Sequence, residues 1–406
     1  MKRIIFLNRF FYPDHSATSQ LLSDLAFHLA GCGHDVCVIT SQQRYDAPRA
    51  RLPEMETVAG VKIRRIATTR FGRSAMLGRG FDYLSFYISM KRAVLALANR
   101  GDILVAKTDP PMLCVLAMQM AKRGSLQLVN WLQDLYPEVA VELGVPFVRG
   151  PVGGMLARLR DASLRAAAAN VVVGRRMAES VLARGVAAER IHVIPNWCDD
   201  EQIRPVARED NRLRSDWGIE DRFVVGYSGN LGRAHDFSTV LAAAERLRDR
   251  QEILFLFIGG GHKFAELARC VQERGLERTF RFIPYQDREL LQFSLSVPDV
   301  HWISLNPELE GLIVPSKFYG IAAAGRAMIA IAAKNGEIAG LVREHDCGFV
   351  IEPGDAQTLA ETLVRVSTDR DGLAAMGLRG RKMLDAHFTR RAALERWRSV
   401  LGGIGG

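Results

Sequence analysis

The feature that most constrains the fold of this 406-residue chain is a repeated alternation of short apolar runs with longer Ala/Leu-rich stretches. "RIIFLN" (3–8), "DVCVIT" (35–40), "VKIRRIA" (61–67), "DILVAKT" (102–108), "LQLVNWL" (126–132), "NVVVG" (170–174) and "IHVIP" (191–195) have the length and composition of strands. The stretches between most of them read as helices. Residues 16–34 put Leu21, Leu22, Leu25 and Leu29 on one stripe and stop at Gly31 and Gly33. Apolar strands separated by helices predict a parallel sheet covered on both faces. The pattern restarts with "FVVGYSG" (223–229), "ILFLFIGGG" (253–261), "RFIPY" (281–285), "DVHWISL" (299–305), "AMIAIAA" (327–333) and "GFVIEP" (348–353). The polar, aperiodic stretch "NWCDDEQIRPVAREDNRL" divides the two series. The expected fold is therefore α/β, with two doubly wound Rossmann-like domains, residues 1–202 and 203–387. In such sheets ligands bind beyond the carboxyl ends of the strands, and with two domains the default site is the cleft between them.

Composition narrows the chemistry. Six cysteines are scattered without a C-x-x-C pair, which argues against a zinc site and a disulfide framework. No apolar run is long enough for a membrane span, and "MKRIIFLNRFFYPD" reads as a first strand, so a cytoplasmic protein is expected. The net charge of +9 is uneven. Residues 1–200 hold 26 Lys+Arg against 17 Asp+Glu, and residues 201–406 hold 28 of each. Residues 51–100 alone hold 10 basic and 3 acidic residues. The segment 70–100 interleaves these cations with Phe71, Phe81, Tyr83, Phe86 and Tyr87, which suits an anionic membrane surface. A helix packed on the sheet accounts for it equally well. Nucleic acid is the weaker reading, because the rest of the chain has the character of a small-molecule cleft.

The loops after strands hold the candidate site. "GYSGNLGRAHDF" (226–237) enters a helix through Gly229 and Gly232, which permit a tight turn and close approach of backbone to phosphate. Asn230 lies in the turn, and Arg233 and His235 add positive charge. The turn is not G-x-G-x-x-G, and the next strand ends in "IGGGHK" without an acidic residue, so a dehydrogenase is disfavoured. Gly259 and Gly260 allow a ligand or another loop to come close. Ile283 and Tyr285 follow a further strand and can offer a face to a nucleobase, although core packing serves Ile283 as well. "NPELEGLIVPSKFYG" (306–320) places Glu308, Glu310 and Gly311 before a helix that opens with Pro315, Ser316 and Lys317. Ser and Pro are ordinary at a helix start. A lysine there opposes the helix dipole unless an anion is bound. The carboxylates suit sugar hydroxyls, and Ser316 with Lys317 suits a diphosphate. In the first domain Asp14, His15, Ser16 and Thr18 open a helix, and Asp134 follows the strand "LQLVNWL" as a helix cap, a base or an orienting group for a hydroxyl. The single D-x-D, Asp369–Asp371, reads as a cap, and no metal site is indicated.

These residues, in this order, resemble family 4 glycosyltransferases of the GT-B fold. "FYPDHSATSQLL", "WLQDLYPE" and "VPSKFYG" are similar to motifs of bacterial transferases that build surface polysaccharides, of the colanic-acid and N-acetylfucosamine types. The resemblance implies a hexosyl- or N-acetylhexosaminyl-type enzyme that retains anomeric configuration and needs no metal or other cofactor. It implies a nucleotide-sugar donor, UDP favoured over GDP, and a lipid-linked saccharide acceptor at the inner face of the membrane, with residues 62–100 toward the lipid. It also implies that residues 388–406 pack back on the first domain. Lys317, Arg233, Glu308 and Asp134 are the expected catalytic set. The glycine turns, Asn230, His235, Ile283, Tyr285, Glu310, Gly311 and Ser316 are expected on the donor, and residues 14–18 on the acceptor. The chain departs from the family in two places. The usual Arg and Lys of the glycine turn align with Asn230 and His235, and the usual glutamate pair aligns with Glu308 and Ser316. An epimerase of the same fold and a non-catalytic nucleotide-sugar-binding subunit are the competing readings.

Overall fold

A computed structural model describes residues 2–14, 16–44, 51–69, 71, 76–146 and 148–405. The chain divides into two compact units, Met1–Pro195 with Ala393–Gly406, and Asn196–Ala392.

The first unit runs β1 (Ile4–Leu7), α1 (Ala17–Gly31), β2 (Val36–Ser41), β3 (Met55–Val58), β4 (Val61–Ile66), α2 (Met76–Leu97), β5 (Ile103–Ala106), α3 (Leu113–Gly124), β6 (Gln127–Leu132), α4 (Glu138–Glu142), α5 (Pro151–Ala166), β7 (Ala169–Val172), α6 (Arg175–Leu182) and β8 (Ile191–Val193). Its sheet has the order β3-β4-β2-β1-β5-β6-β7-β8. All pairs are parallel except β3 with β4. The order reverses between β1 and β5, which is where a doubly wound sheet opens a crevice at its carboxyl edge. Alternate strand residues such as Ile5, Leu7 and Leu104 meet Phe86, Met90 and Val94 of α2 and Leu113 and Ala117 of α3 in one buried cluster.

The second unit runs α7 (Arg212–Asp216), β9 (Phe223–Asn230), α8 (Ser238–Arg246), β10 (Ile253–Gly260), α9 (Phe264–Glu273), β11 (Phe280–Ile283), α10 (Leu291–Ser296), β12 (Val300–Ser304), α11 (Lys317–Ala323), β13 (Ala327–Ile331), α12 (Glu337–Glu344), β14 (Gly348–Ile351), α13 (Ala356–Ser367) and α14 (Arg370–His387). Its parallel sheet has the order β11-β10-β9-β12-β13-β14 and reverses between β9 and β12. The aromatic side chains of Tyr227, Phe257 and Trp302 pack in its core, with Tyr227 stacked on Phe257 at 5.0 Å. The last helix, α15 (Arg390–Gly405), spans the division. Within the first unit its Trp397 is fully buried and lies 4.6 Å from the ring of Trp131.

Three local readings change. The hairpin of β3 and β4 was not expected. Its two-residue turn uses left-handed backbone at Ala59 (φ 45°) and Gly60 (φ 81°), the twist that a tight hairpin requires. Ser316 does not cap α11 with its side chain, because its own backbone is already helical (φ −68°, ψ −17°). The basic segment also loses its first cations to the fold. Lys62 pairs with Asp35 at 2.9 Å and Arg64 with Glu54 at 2.8 Å. The fully buried Arg65 donates to the carbonyls of Tyr12 and Pro53 and pairs with Glu56. Arg70 and Arg73 lie outside the described residues. Asp369 does act as a cap, accepting from Gly372 N at 2.9 Å.

Candidate active site

In the second unit the carboxyl ends of β9 and β12 flank the switch point, and the chain after each of them is tied to the other. His235 bonds through Nδ1 to the Ser304 carbonyl at 2.6 Å, and Asp236 N donates to Ser304 Oγ at 3.1 Å. Asn306 N donates to the Ala234 carbonyl at 3.0 Å. A carbonyl can only accept, so Nδ1 carries the imidazole proton and Nε2 presents a lone pair. Lys317 Nζ reaches that Nε2 at 3.4 Å and donates to the Asn230 carbonyl at 2.9 Å. The same ammonium lies 5.0 Å from the Tyr227 ring centroid, and the Tyr227 hydroxyl also donates to the Asn230 carbonyl. Burial pushes the Lys317 pKa down to about 8. Burial, and then the Lys317 charge, pushes His235 down to about 3, so the imidazole is neutral. An ammonium has three donors, and two are directed into the fold; the third is available to a ligand.

The glycines explain how this point is reached. Gly229 (φ 114°) would place a Cβ 3.1 Å from Lys317 Cε, so a side chain there would crowd the lysine. Gly259 (φ 135°) lies beside Gly229 in the β9–β10 register, and its Cβ would fall 2.3 Å from the Gly229 carbonyl oxygen. The close approach that the glycine run permits is thus of one loop to another at Gly259. Gly260 faces the ring of Tyr285, which is 61% exposed beside the carboxyl ends of β10 and β11. Ile283 packs instead with Leu254, Leu256 and Ile258 in a core cluster. Gly232 lies beside the Asn230 side chain.

Other expected residues are not drawn into this cluster. Glu310 Oε2 accepts from Glu337 N at 3.1 Å and so holds the start of α12, after the left-handed turn at Gly311 (φ 73°) begins the run to α11. Glu308, Arg233 and Ser316 are exposed. Lys263 was not anticipated. It donates to the His235 carbonyl at 2.7 Å and fixes the loop from the β10 side. The signal was present as the lysine closing "GGGHK".

In the first unit the segments that follow β1, β5 and β6 bring Thr18, Lys107, Asp109 and Asp134 together beyond the switch point between β1 and β5, and Asp14 lies in the segment after β1. Asp14 is buried, and its Oδ1 accepts from Ser16 N at 2.8 Å. His15 lies outside the described residues. Lys107 is buried, donates to the Thr18 carbonyl at 2.7 Å and lies 3.8 Å from the Trp131 ring centroid. Burial holds its pKa well below the usual amine range, against the charges of Asp109 and Asp134. Asp134 is pushed up to about 6, first by burial and then by Asp109, while a hydrogen bond from Thr108 opposes the shift. Lys107 was missed by sequence reasoning, although "ILVAKTDP" ends an apolar strand in a lysine and an aspartate. Glu138 belongs to the scaffold. Arg160 and Arg184 both bond to it and hold its carboxyl down to about 2 against the opposing effect of burial. Among the described residues no group of three or more His, Cys, Asp or Glu is placed to hold a metal ion.

Two Rossmann-like sheets, each with polar side chains beyond its switch point, are the framework of a GT-B glycosyltransferase, and the chain belongs to that class. Residues 18–197 match the family described as glycosyl transferase 4-like domain, and residues 209–383 match glycosyl transferases group 1. Among curated relatives it is 28% identical over 327 residues to WcaI of Escherichia coli (strain K12), named as a glycosyl transferase of colanic acid biosynthesis, covering 77% of this chain and 79% of the relative. It is 27% identical over 337 residues to WbjE of Pseudomonas aeruginosa, named as a glycosyltransferase, with 81% of each covered. Among solved structures, HepE from Anabaena in complex with UDP and glucose has the same fold, with a TM-score of 0.74 at 17% identity over 99% of this chain and 100% of that one. Sucrose-phosphate synthase from Thermosynechococcus elongatus gives a TM-score of 0.76 at 17% identity over 100% and 99%.

Proposed function

We propose that this glycosyltransferase moves a hexosyl or N-acetylhexosaminyl group from a nucleotide-sugar, a UDP-sugar by preference, to a lipid-linked saccharide during assembly of a surface polysaccharide. The observation that carries the donor side is the Lys317 ammonium, held by the Asn230 carbonyl and His235 Nε2 at the switch point of the second sheet. The colanic-acid relative supports the polysaccharide setting, and the UDP complex of HepE supports the nucleotide.

In this reading Lys317 directs its remaining N–H to the β-phosphate, with the exposed Arg233 as a second cation. The exposed Tyr285 ring beside Gly260 stacks on the base, and Glu308 accepts from hydroxyls of the donor sugar. The bond between the sugar C1 and the phosphate oxygen breaks, and its electron pair leaves with the diphosphate. The acceptor hydroxyl oxygen bonds to C1 on the face the diphosphate vacates, so configuration is retained. Its proton passes to an oxygen of the departing phosphate, and Asp134 orients the hydroxyl by accepting its hydrogen bond until transfer. Fixed protein cations, rather than a metal ion, balance the charge that develops on the leaving group, which makes it a better leaving group in a partly dry site.

The test is incubation of the purified protein with a panel of UDP-sugars, with and without a polyprenyl-diphosphate saccharide. Nucleotide release that requires the acceptor, with an axial donor giving an axial product, supports the reading. Isomerised donor without acceptor would mean an epimerase. Donor binding with no turnover on any acceptor would mean a binding subunit.

A further inference from the structure

Arg9 follows β1 at the switch point of the first sheet. Its N donates to the Asp109 carbonyl at 2.8 Å, and its carbonyl accepts from Ser41 N at 3.0 Å and from Thr40 Oγ1 at 2.9 Å. The segments at the ends of β5 and β2 thus fix the point from which the side chain starts. That side chain is only 8% exposed. Among the described residues five arginines, Arg9, Arg65, Arg214, Arg222 and Arg326, enclose an Nε that has no hydrogen-bond partner. The other four donate through their terminal nitrogens to backbone carbonyls, as Arg65 does to Tyr12 and Pro53 and Arg326 to Val206 and Ser296. The Arg9 guanidinium donates no hydrogen bond to any described residue. A guanidinium has five donors, and a buried polar group left without acceptors is costly, so this one points to a partner from outside the chain.

The surroundings of the guanidinium decide the chemistry of that partner. Its carbon lies 5.2 Å from the ring centroid of Phe10 and 5.1 Å from that of Tyr83. A guanidinium held over ring faces keeps its N–H groups, which lie in its own plane, for oxygen acceptors. Asp82 Oδ2, from the buried face of α2, stands 4.0 Å from Arg9 Nη2. The other carboxylate oxygen accepts from Thr69 Oγ1 at 2.7 Å and from Phe71 N at 3.0 Å, which holds the group in place. A separation of 4.0 Å is too long for a hydrogen bond, yet one oxygen atom can stand about 2.8 Å from both groups. That atom must accept from the guanidinium and donate to the carboxylate. A sugar hydroxyl does both, whereas an ionised phosphate can only accept and meets Asp82 with like charge. Burial, and then the potentials of Asp134 and Tyr83, raise the Tyr136 pKa, so the ring that carries Arg9 and the Asp134 carboxylate both stand near the Tyr136 hydroxyl. We propose that Arg9 and Asp82 form a saccharide subsite of the first unit, in which one ring hydroxyl of the acceptor accepts from the guanidinium and donates to Asp82 Oδ2. This hydroxyl is distinct from the reacting one that Asp134 orients. The proposal rests on the reading above that the acceptor is a saccharide, and it adds the pair that selects it.

The experiment is saturation-transfer NMR on the full chain with the methyl glycosides of glucose, galactose, fucose and N-acetylglucosamine, each beside its monodeoxy analogues. The variants are Asp82→Asn and the pair Arg9→Met/Asp82→Asn, checked for folding by thermal unfolding. The pair removes both charges together, so neither is left buried alone. The wild-type chain should bind at least one glycoside, and removal of one particular hydroxyl should weaken binding about ten-fold or more. The paired variant should bind the parent glycoside that much more weakly and should no longer distinguish it from that deoxy analogue. Asp82→Asn keeps an acceptor for Thr69 and Phe71, should shift binding in the same direction, and carries the test if the paired variant unfolds. No glycoside bound by the wild-type chain, wild-type affinity in the variants, or a variant that still loses affinity on the same deoxygenation would overturn the proposal. So would displacement of the glycoside by inorganic phosphate in the wild-type chain alone, since the site would then read an anion. Saccharide binding through the pair without turnover on any acceptor removes the transferase reading alone. Turnover on a lipid-linked saccharide with an unchanged acceptor KM in the paired variant removes the subsite alone.

Discussion

The Lys317 ammonium stands at the point where backbone, ring and imidazole converge, and its protonation should be visible in catalysis. Its pKa is lowered to about 8 because burial disfavours the charged form, so the ammonium is lost as pH rises through about 8. Asp134 is raised to about 6, so the carboxylate is lost as pH falls through about 6. His235 titrates near 3 and contributes no limb between them. The pH profile of kcat/KM should therefore be a bell with limbs near 6 and 8. Asp134→Asn should remove the acid limb and Lys317→Ala the alkaline one, with kcat in the lysine variant down on the order of 100- to 1,000-fold. A flat profile between pH 5 and 9 would remove both groups from the reaction. The convergence of Lys317, Asn230 and His235 was legible in part at the residue level. A lysine at a helix start, opposed by the helix dipole, singled out Lys317 before its partners were visible. The diversion of Glu310 was not legible, because nothing local shows that the start of α12 takes its acceptor from a loop 27 positions earlier.

At the scale of elements, every strand expected from an apolar run is present, usually shorter by a residue or two at its ends. The strand that escaped, β3, has no strongly buried face (its residues are half-buried or exposed), so the apolar signal was weak. The outward apolar residues of α2 and α5 were legible only in part: Phe81 stood out among the aromatics of segment 70–100, but Leu84, Ile88, Leu95, Val152, Met155 and Leu159 did not. A helix apolar on both sides has no clear period, and sequence cannot show which side the sheet covers. Packing between elements gives two stability predictions. Gly259→Ala would drive a Cβ into the Gly229 carbonyl at a left-handed φ, and should lower stability by about 3 kcal/mol in urea unfolding. Gly402→Ala, helical with nothing nearby, should be neutral or stabilising by at most ~1 kcal/mol. Equal effects would mean that the β9–β10 contact does not constrain the turn. Trp397→Ala removes the ring that packs on Trp131 and should cost about 3–5 kcal/mol in the same measurement. A loss below ~1 kcal/mol would show that α15 is not anchored there.

At the scale of the whole molecule, the doubly wound repeat was legible because period and turn chemistry agree along most of the chain. The division of the chain was less so. The compact units part between Pro195 and Asn196, at the very start of the stretch that sequence reads only as polar and aperiodic, and the first unit regains Ala393–Gly406 from the far end. Each unit places polar side chains beyond the carboxyl edge of its own sheet, Lys317 in one and Asp134 with Lys107 in the other, and the proposed function gives the first to the leaving group and Asp134 to the acceptor hydroxyl. The central claim is that Lys317 reads the diphosphate of the donor. It is tested most directly by calorimetric titration of UDP and of uridine into the wild-type chain and Lys317→Ala at neutral pH. A charge-assisted hydrogen bond to phosphate is worth about 1.5–3 kcal/mol, so the variant should bind UDP roughly 10- to 100-fold more weakly and uridine unchanged. Equal UDP affinity in the two proteins would contradict the account.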